Sequence, residues 1–139
     1  MLFMSFYISE KKAPQKSQEK VSTYSIKLSD VKTLVDSKCM ICHSIKENQQ
    51  AMMAPPFAHI KKKYAKVYAS KDDFSQAIVS FTMNPSKEKA QMYGALKQFK
   101  LMPNLSYKQS EVEAIANYIY DTDFPEPAWC GNSKGKNAR

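Results

Sequence analysis

Glycine is scarce in this 139-residue chain, with 3 residues in all. That excludes the glycine-rich loops that cradle phosphates, and neither G-x-G-x-x-G nor a P-loop pattern is present. It also disfavours a hairpin-rich β fold, in which tight turns consume glycine. Arginine is scarcer still, because Arg139 is the only one among 21 basic residues. Bidentate reading of bases and phosphates favours arginine, so nucleic acid is not the expected partner despite a net charge of +8. Long apolar runs are missing too. The longest, Leu2 to Ile8, is interrupted by Ser5 and is far too short to cross a bilayer.

What remains suits one modest domain. Hydrophobic residues make up 43% of the chain, enough for a single core. Residues 1–24 read as a flexible N-terminal tail. Lys11 to Ser22 is rich in lysine, glutamine and serine, and the short apolar stretch before it resembles the remnant of a signal or membrane anchor. The folded domain is expected over residues 25–124. Pro125, Pro127 and the Gly-Asn-Ser-Lys-Gly-Lys run mark 125–139 as an extended C-terminal tail. The surplus of lysine provides diffuse, hydrated charge that steers a protein towards acidic protein surfaces or a membrane face.

Helical periodicity dominates, and the expected fold is all-α with four to five short helices. Ser29 is a candidate N-cap for a helix through Val31, Leu34 and Val35 into the Cys39 region. Ile60, Tyr64, Val67 and Tyr68 form an apolar stripe, with Lys61, Lys62, Lys63 and Lys66 on the wet side. Ser70 and Asp73 resemble a capping box ahead of Phe74, Ile78 and Phe81, and Pro85 should end that helix near Asn84. A short helix is expected around Met92, Leu96 and Phe99. A last one, capped by Ser106, carries Val112, Ile115, Ala116 and Ile119 on one face. Ala54-Pro55-Pro56 and Met102-Pro103 should be extended.

The chemistry sits in Cys39-Met40-Ile41-Cys42-His43, a C-x-x-C-H motif. Two thiols three positions apart reach the two vinyl groups along one haem edge and form thioethers. The next residue, a histidine, is then placed to bind the iron. With this composition the motif arises by chance roughly six times in ten thousand. A thioredoxin-like dithiol would instead open a helix after a strand. A structural zinc site needs four ligands, and only Cys130 and His59 remain to complete one.

The opposite axial position decides what such a haem does. Among 8 methionines, Met102 stands out because it precedes the last amphipathic helix in a loop stiffened by Pro103. Met83 and Met92 fall at helical positions, and Met52 and Met53 lie close to His43 in the chain. His59 is the rival ligand and would give a lower potential. With both axial positions filled by protein, no open site remains for oxygen or peroxide, and electron transfer becomes the default role.

Together these residues resemble the class I c-type cytochromes, the mitochondrial-like and bacterial monohaem family, over about residues 28–121. The resemblance rests on the C-x-x-C-H motif, on Ala54-Pro55-Pro56-Phe57, on Leu101-Met102-Pro103 and on the closing helix from Leu105 to Ile119. It implies a small all-α fold whose first and last helices cross around one covalently attached haem c. It implies Cys39 and Cys42 as attachment points and His43 and Met102 as iron ligands. The Pro55 carbonyl would accept the other imidazole proton, and Tyr118 would pack the last helix on the first. The implied function is a one-electron carrier rather than an enzyme, located in the periplasm or otherwise outside the cytoplasm, monomeric, and serving redox partners with acidic docking surfaces. Two other readings are carried forward: a haem-based gas sensor in which Met102 dissociates, and a fixed electron-entry subunit of a larger oxidoreductase. The chain departs from the family in having Ser44 after the histidine. Candidate partners for the haem propionates are Tyr64, Tyr68, Tyr93 and Trp129.

Overall fold

The structure, a computed structural model, describes residues 26–131. The expected N-terminal tail at 1–24 and the final residues from 132 onwards lie outside the described residues. A continuous helical run opens the domain: α1 (Leu28–Leu34), a π-helical segment (Val35–Cys39) and α2 (Met40–His43). A 3-10 turn (Gln49–Ala51) follows, then α3 (Phe57–Val67), α4 (Lys71–Met83), α5 (Tyr93–Phe99), α6 (Gln109–Asp121) and α7 (Ala128–Gly131). No strand occurs among the described residues, so the fold is all-α as its periodicity predicts.

Local chemistry explains the element ends. Pro56 is the N-cap of α3, with φ −65° and ψ 150°, so the paired prolines deliver the chain extended and the helix starts at once. Ser70 caps α4 by accepting from the Asp73 amide at 3.1 Å while its hydroxyl donates to the Asp73 carboxylate at 2.7 Å. Two expected caps are displaced. The first helix is capped by Lys27, without a side-chain bond, and Ser29 is its second residue. The last begins after Lys108, because Ser106 adopts φ 51° and the chain turns there before it coils. The π segment has a visible cause. Thr33 Oγ1 donates to the Ser29 carbonyl at 3.1 Å and Ser37 Oγ to the Thr33 carbonyl at 2.7 Å, and such back-bonding loosens a helix.

The core lies where α6 packs along α4 and crosses α1. Val31, Val35, Phe57, Tyr64, Phe74, Ile78, Ile115, Ala116 and Ile119 form one buried cluster. Phe74 and Val112 are among the largest fully buried side chains. Lys38 on the π segment reaches Glu111 in the first turn of α6 at 2.6 Å, tying the two crossing elements at their ends. That hydrogen bond holds the Glu111 carboxyl below its ordinary 4.5. Because the folded value is depressed, the stabilisation is fully present above the unfolded value and is lost as pH falls through the folded one. Glu111→Gln is therefore expected to lower Tm modestly near neutral pH, by less than about 1 kcal/mol for a pair still partly open to solvent. Thermal melts at about pH 7 and about pH 3 should show the gap to the wild type closing in acid.

Within the expected C-terminal tail, residues 125–131 pack against the domain instead of extending from it. Pro127 is fully buried, Glu126 pairs with Lys62 at 3.1 Å, and the Trp129 indole donates to the Lys46 carbonyl at 3.1 Å. Just before it, the Lys61 ammonium donates to the Thr122 carbonyl and to Asp123, both at 2.9 Å. The prolines stiffen this strap instead of releasing it, and Lys61 and Lys62, expected to be merely solvated, hold it down.

Candidate functional site

One large cavity opens between the N-terminal helical run, α3, α4 and the loop after α5. Its lining includes Cys39, Cys42, His43, Pro55 and Met102, so the five residues singled out by sequence meet around one space. The cavity volume is about 190 Å³, and the space widens into an open mouth. Ile60, Ile78, Phe81, Ile115 and Ile119 give it apolar walls.

The histidine is set with care. Its Nδ1 donates to the Pro55 carbonyl at 2.7 Å, an acceptor that can take only one tautomer and that leaves the Nε2 lone pair available. Burial pushes the imidazole below its ordinary pKa, with the Pro55 bond opposing, so the ring is neutral and competent as a ligand at neutral pH. Phe57 stacks on it, ring centroids 5.0 Å apart and planes 9° apart.

The thiols fit attachment better than redox exchange. Cys39 and Cys42 are not disulfide-bonded, and burial pushes the Cys39 thiol up to about 11. A thiol that stays protonated at neutral pH is a poor nucleophile for disulfide exchange. A bare metal ion is no better served. His59 and Cys130 do meet, Nε2 to Sγ at 3.4 Å, although the sequence had set them apart in a helix start and a tail. Yet no group of three or more His, Cys, Asp or Glu side chains able to hold a metal occurs among the described residues. A broad apolar space with two thiols and one tautomer-fixed imidazole on its rim suits a flat macrocycle carrying its own metal.

Of the methionines, Met53, Met92 and Met102 line the cavity. Met92 packs against the core cluster, and Met53 is 61% exposed next to Ala54-Pro55. Met52 is buried with its sulfur accepting from the Lys46 amide at 3.2 Å. Met102 sits with Leu101, Pro103 and Leu105 on the extended loop. His59 does not line the cavity, since its ring faces Trp129 and Cys130. Among the proposed propionate partners only Tyr64 lines it. Tyr68, Tyr93 and Trp129 do not. Sequence reasoning missed Thr82, Gln91, Lys100 and Tyr107, which add polar groups to the lining and carry no periodic signal of their own.

The Met102 loop starts from a strained residue. Lys100 closes α5 with φ 67° and ψ −169°, a region that only glycine occupies freely. Lys100→Gly should raise Tm by an amount worth about 1 kcal/mol, read by thermal melts, while leaving the visible spectrum unchanged.

A family model described as Cytochrome c matches residues 28–123. No curated protein and no solved structure matches the chain.

Proposed function

The chain belongs to the cytochrome c family, and from that footing we propose that it is a class I monohaem member that shuttles single electrons with His43 and Met102 as iron ligands. Membership itself makes it a haem-based electron-transfer protein with covalently bound haem c. A bound haem supplies a metal that alternates between ferric and ferrous states.

Everything else falls to the chain's own residues. Cys39 and Cys42 anchor the group by thioethers. The Pro55 carbonyl holds the proton on Nδ1 of the His43 ring, so Nε2 would be left as the neutral donor to the iron. Met102 supplies a soft sulfur, which favours the ferrous state and raises the potential. The apolar walls keep water out, and little has to rearrange when the charge changes. Tyr64, Thr82 and Gln91 are the polar lining residues suited to the carboxylates of the group. The reading is carried above all by the convergence of a tautomer-fixed His43, both cysteines and Met102 on a single cavity.

The partner is proposed to be an acidic redox protein. Met53, Leu101 and Leu105 are exposed large apolar residues at the cavity, and Lys38 and Lys100 line it as well. An apolar contact beside lysine on a chain of net positive charge suits brief, charge-steered docking. The proposed location is outside the cytoplasm, where haem is delivered to reduced C-x-x-C-H thiols. No helix of the described residues is long and apolar enough to cross a membrane.

Carbon monoxide tests this role against the gas sensor. The ferrous protein is expected not to bind it, and to be oxidised by an acidic redox protein at a rate that falls with added salt. Rapid carbon monoxide binding would favour a sensor with a labile sixth ligand. A stable co-purifying oxidoreductase would favour a fixed electron-entry subunit.

A further inference from the structure

We propose that Phe124, on the C-terminal strap, sets the orientation of the His43 imidazole through Phe57, making both positioning residues for the proposed iron ligand. The inference rests on His43 ligation and adds to it a control reaching from outside the motif.

The geometry is a relay of rings. Phe57 lies nearly parallel to His43 at 5.0 Å, Phe124 meets Phe57 at 5.2 Å and 56°, and Tyr118 on α6 meets Phe124 at 6.1 Å and 75°. Offset stacking and tilted contacts of this kind are directional, because each ring carries a negative face and a positive edge. The Pro55 carbonyl fixes one nitrogen of His43 and leaves rotation of the ring plane about that bond to be settled by whatever packs on its face. Phe57 packs there and is itself buried, 6% exposed. Phe124 in turn belongs to a strap held at several separate points: Thr122 and Asp123 by Lys61, Glu126 by Lys62, Pro127 by burial and Trp129 by the Lys46 carbonyl. So many ties for so short a segment are more than closing the end of α6 requires. They hold Phe124 against the Phe57 ring.

The plane of an axial imidazole, together with the orientation of the ligand opposite, governs how unpaired spin is shared among the four haem methyl groups in the ferric state. With Met102 unchanged, proton NMR of the ferric holoprotein reads a change in the imidazole plane. Phe124→Ala and Phe57→Leu are expected to change the order and spread of the shifted methyl resonances while the optical spectrum keeps the same axial ligands. Phe124→Tyr, which retains the ring, should restore the wild-type pattern. A merely structural role would lower Tm in Phe124→Ala and leave the methyl pattern in place, and that result would overturn the inference alone. A wild-type protein with haem attached but not bound through His43 would overturn the inference together with the ligation on which it rests.

Discussion

Replacing Cys39 and Cys42 together with alanine is expected to abolish retention of haem after denaturation and to leave a chain without a cooperative melting transition. The two thiols sit on the rim of a cavity whose lining includes core residues Tyr64, Ile78, Ile115 and Ile119. Those residues are part of the hydrophobic cluster of the described residues, so the space beside them has to be filled for the cluster to close. A single large-to-small core substitution already costs about 2–5 kcal/mol. A domain of this size has roughly 5–15 kcal/mol in total. Leaving that space empty removes apolar contacts from Tyr64, Ile78, Ile115 and Ile119 at once, which should exhaust that margin. The readout is paired: intact mass under denaturing conditions for attachment, and a near-ultraviolet circular dichroism melt for packing. A double variant that melts as sharply as the wild type would mean that the cavity closes without its group.

Met102→Ala should have the second-largest effect. Loss of the thioether is expected to lower the midpoint potential by on the order of 100 mV, a modest part of the roughly 0.8 V over which axial ligands set haem potentials. It should also admit carbon monoxide to the ferrous protein. Met92→Ala is the control, because Met92 lines the same cavity but packs against the core. It should lower Tm and leave the ligation unchanged. Potentiometry with carbon monoxide titration separates the two variants. The opposite pattern would move the axial role to Met92.

The site was legible in the sequence to the extent that its residues were adjacent. Cys39, Cys42 and His43 share one turn, so spacing alone brings them together. Met102 was approached through its context, a proline-stiffened loop before an amphipathic helix. The helices with clean stripes, α4 and α6, were equally readable, because burying one face is what makes them helices. The rest depended on long-range packing. Nothing in Phe124-Pro125-Glu126-Pro127 distinguishes a tail from a strap, since proline stiffens both. Only the partners Lys61, Lys62 and Lys46, far off in the chain, decide it. The meeting of His59 with Cys130 was hidden for the same reason. The caps at Ser29 and Ser106 failed because serine favours turns as readily as helix starts, and at Ser106 the turn prevailed.

The central claim is a covalently attached haem with both axial positions held by the chain, His43 on one side and Met102 on the other. The most direct measurement is the optical spectrum of the protein matured with haem, recorded oxidised and then reduced. A low-spin spectrum in both states, with the long-wavelength band of methionine bound to ferric iron, is the predicted result. A high-spin spectrum, or a low-spin one without that band, would contradict it.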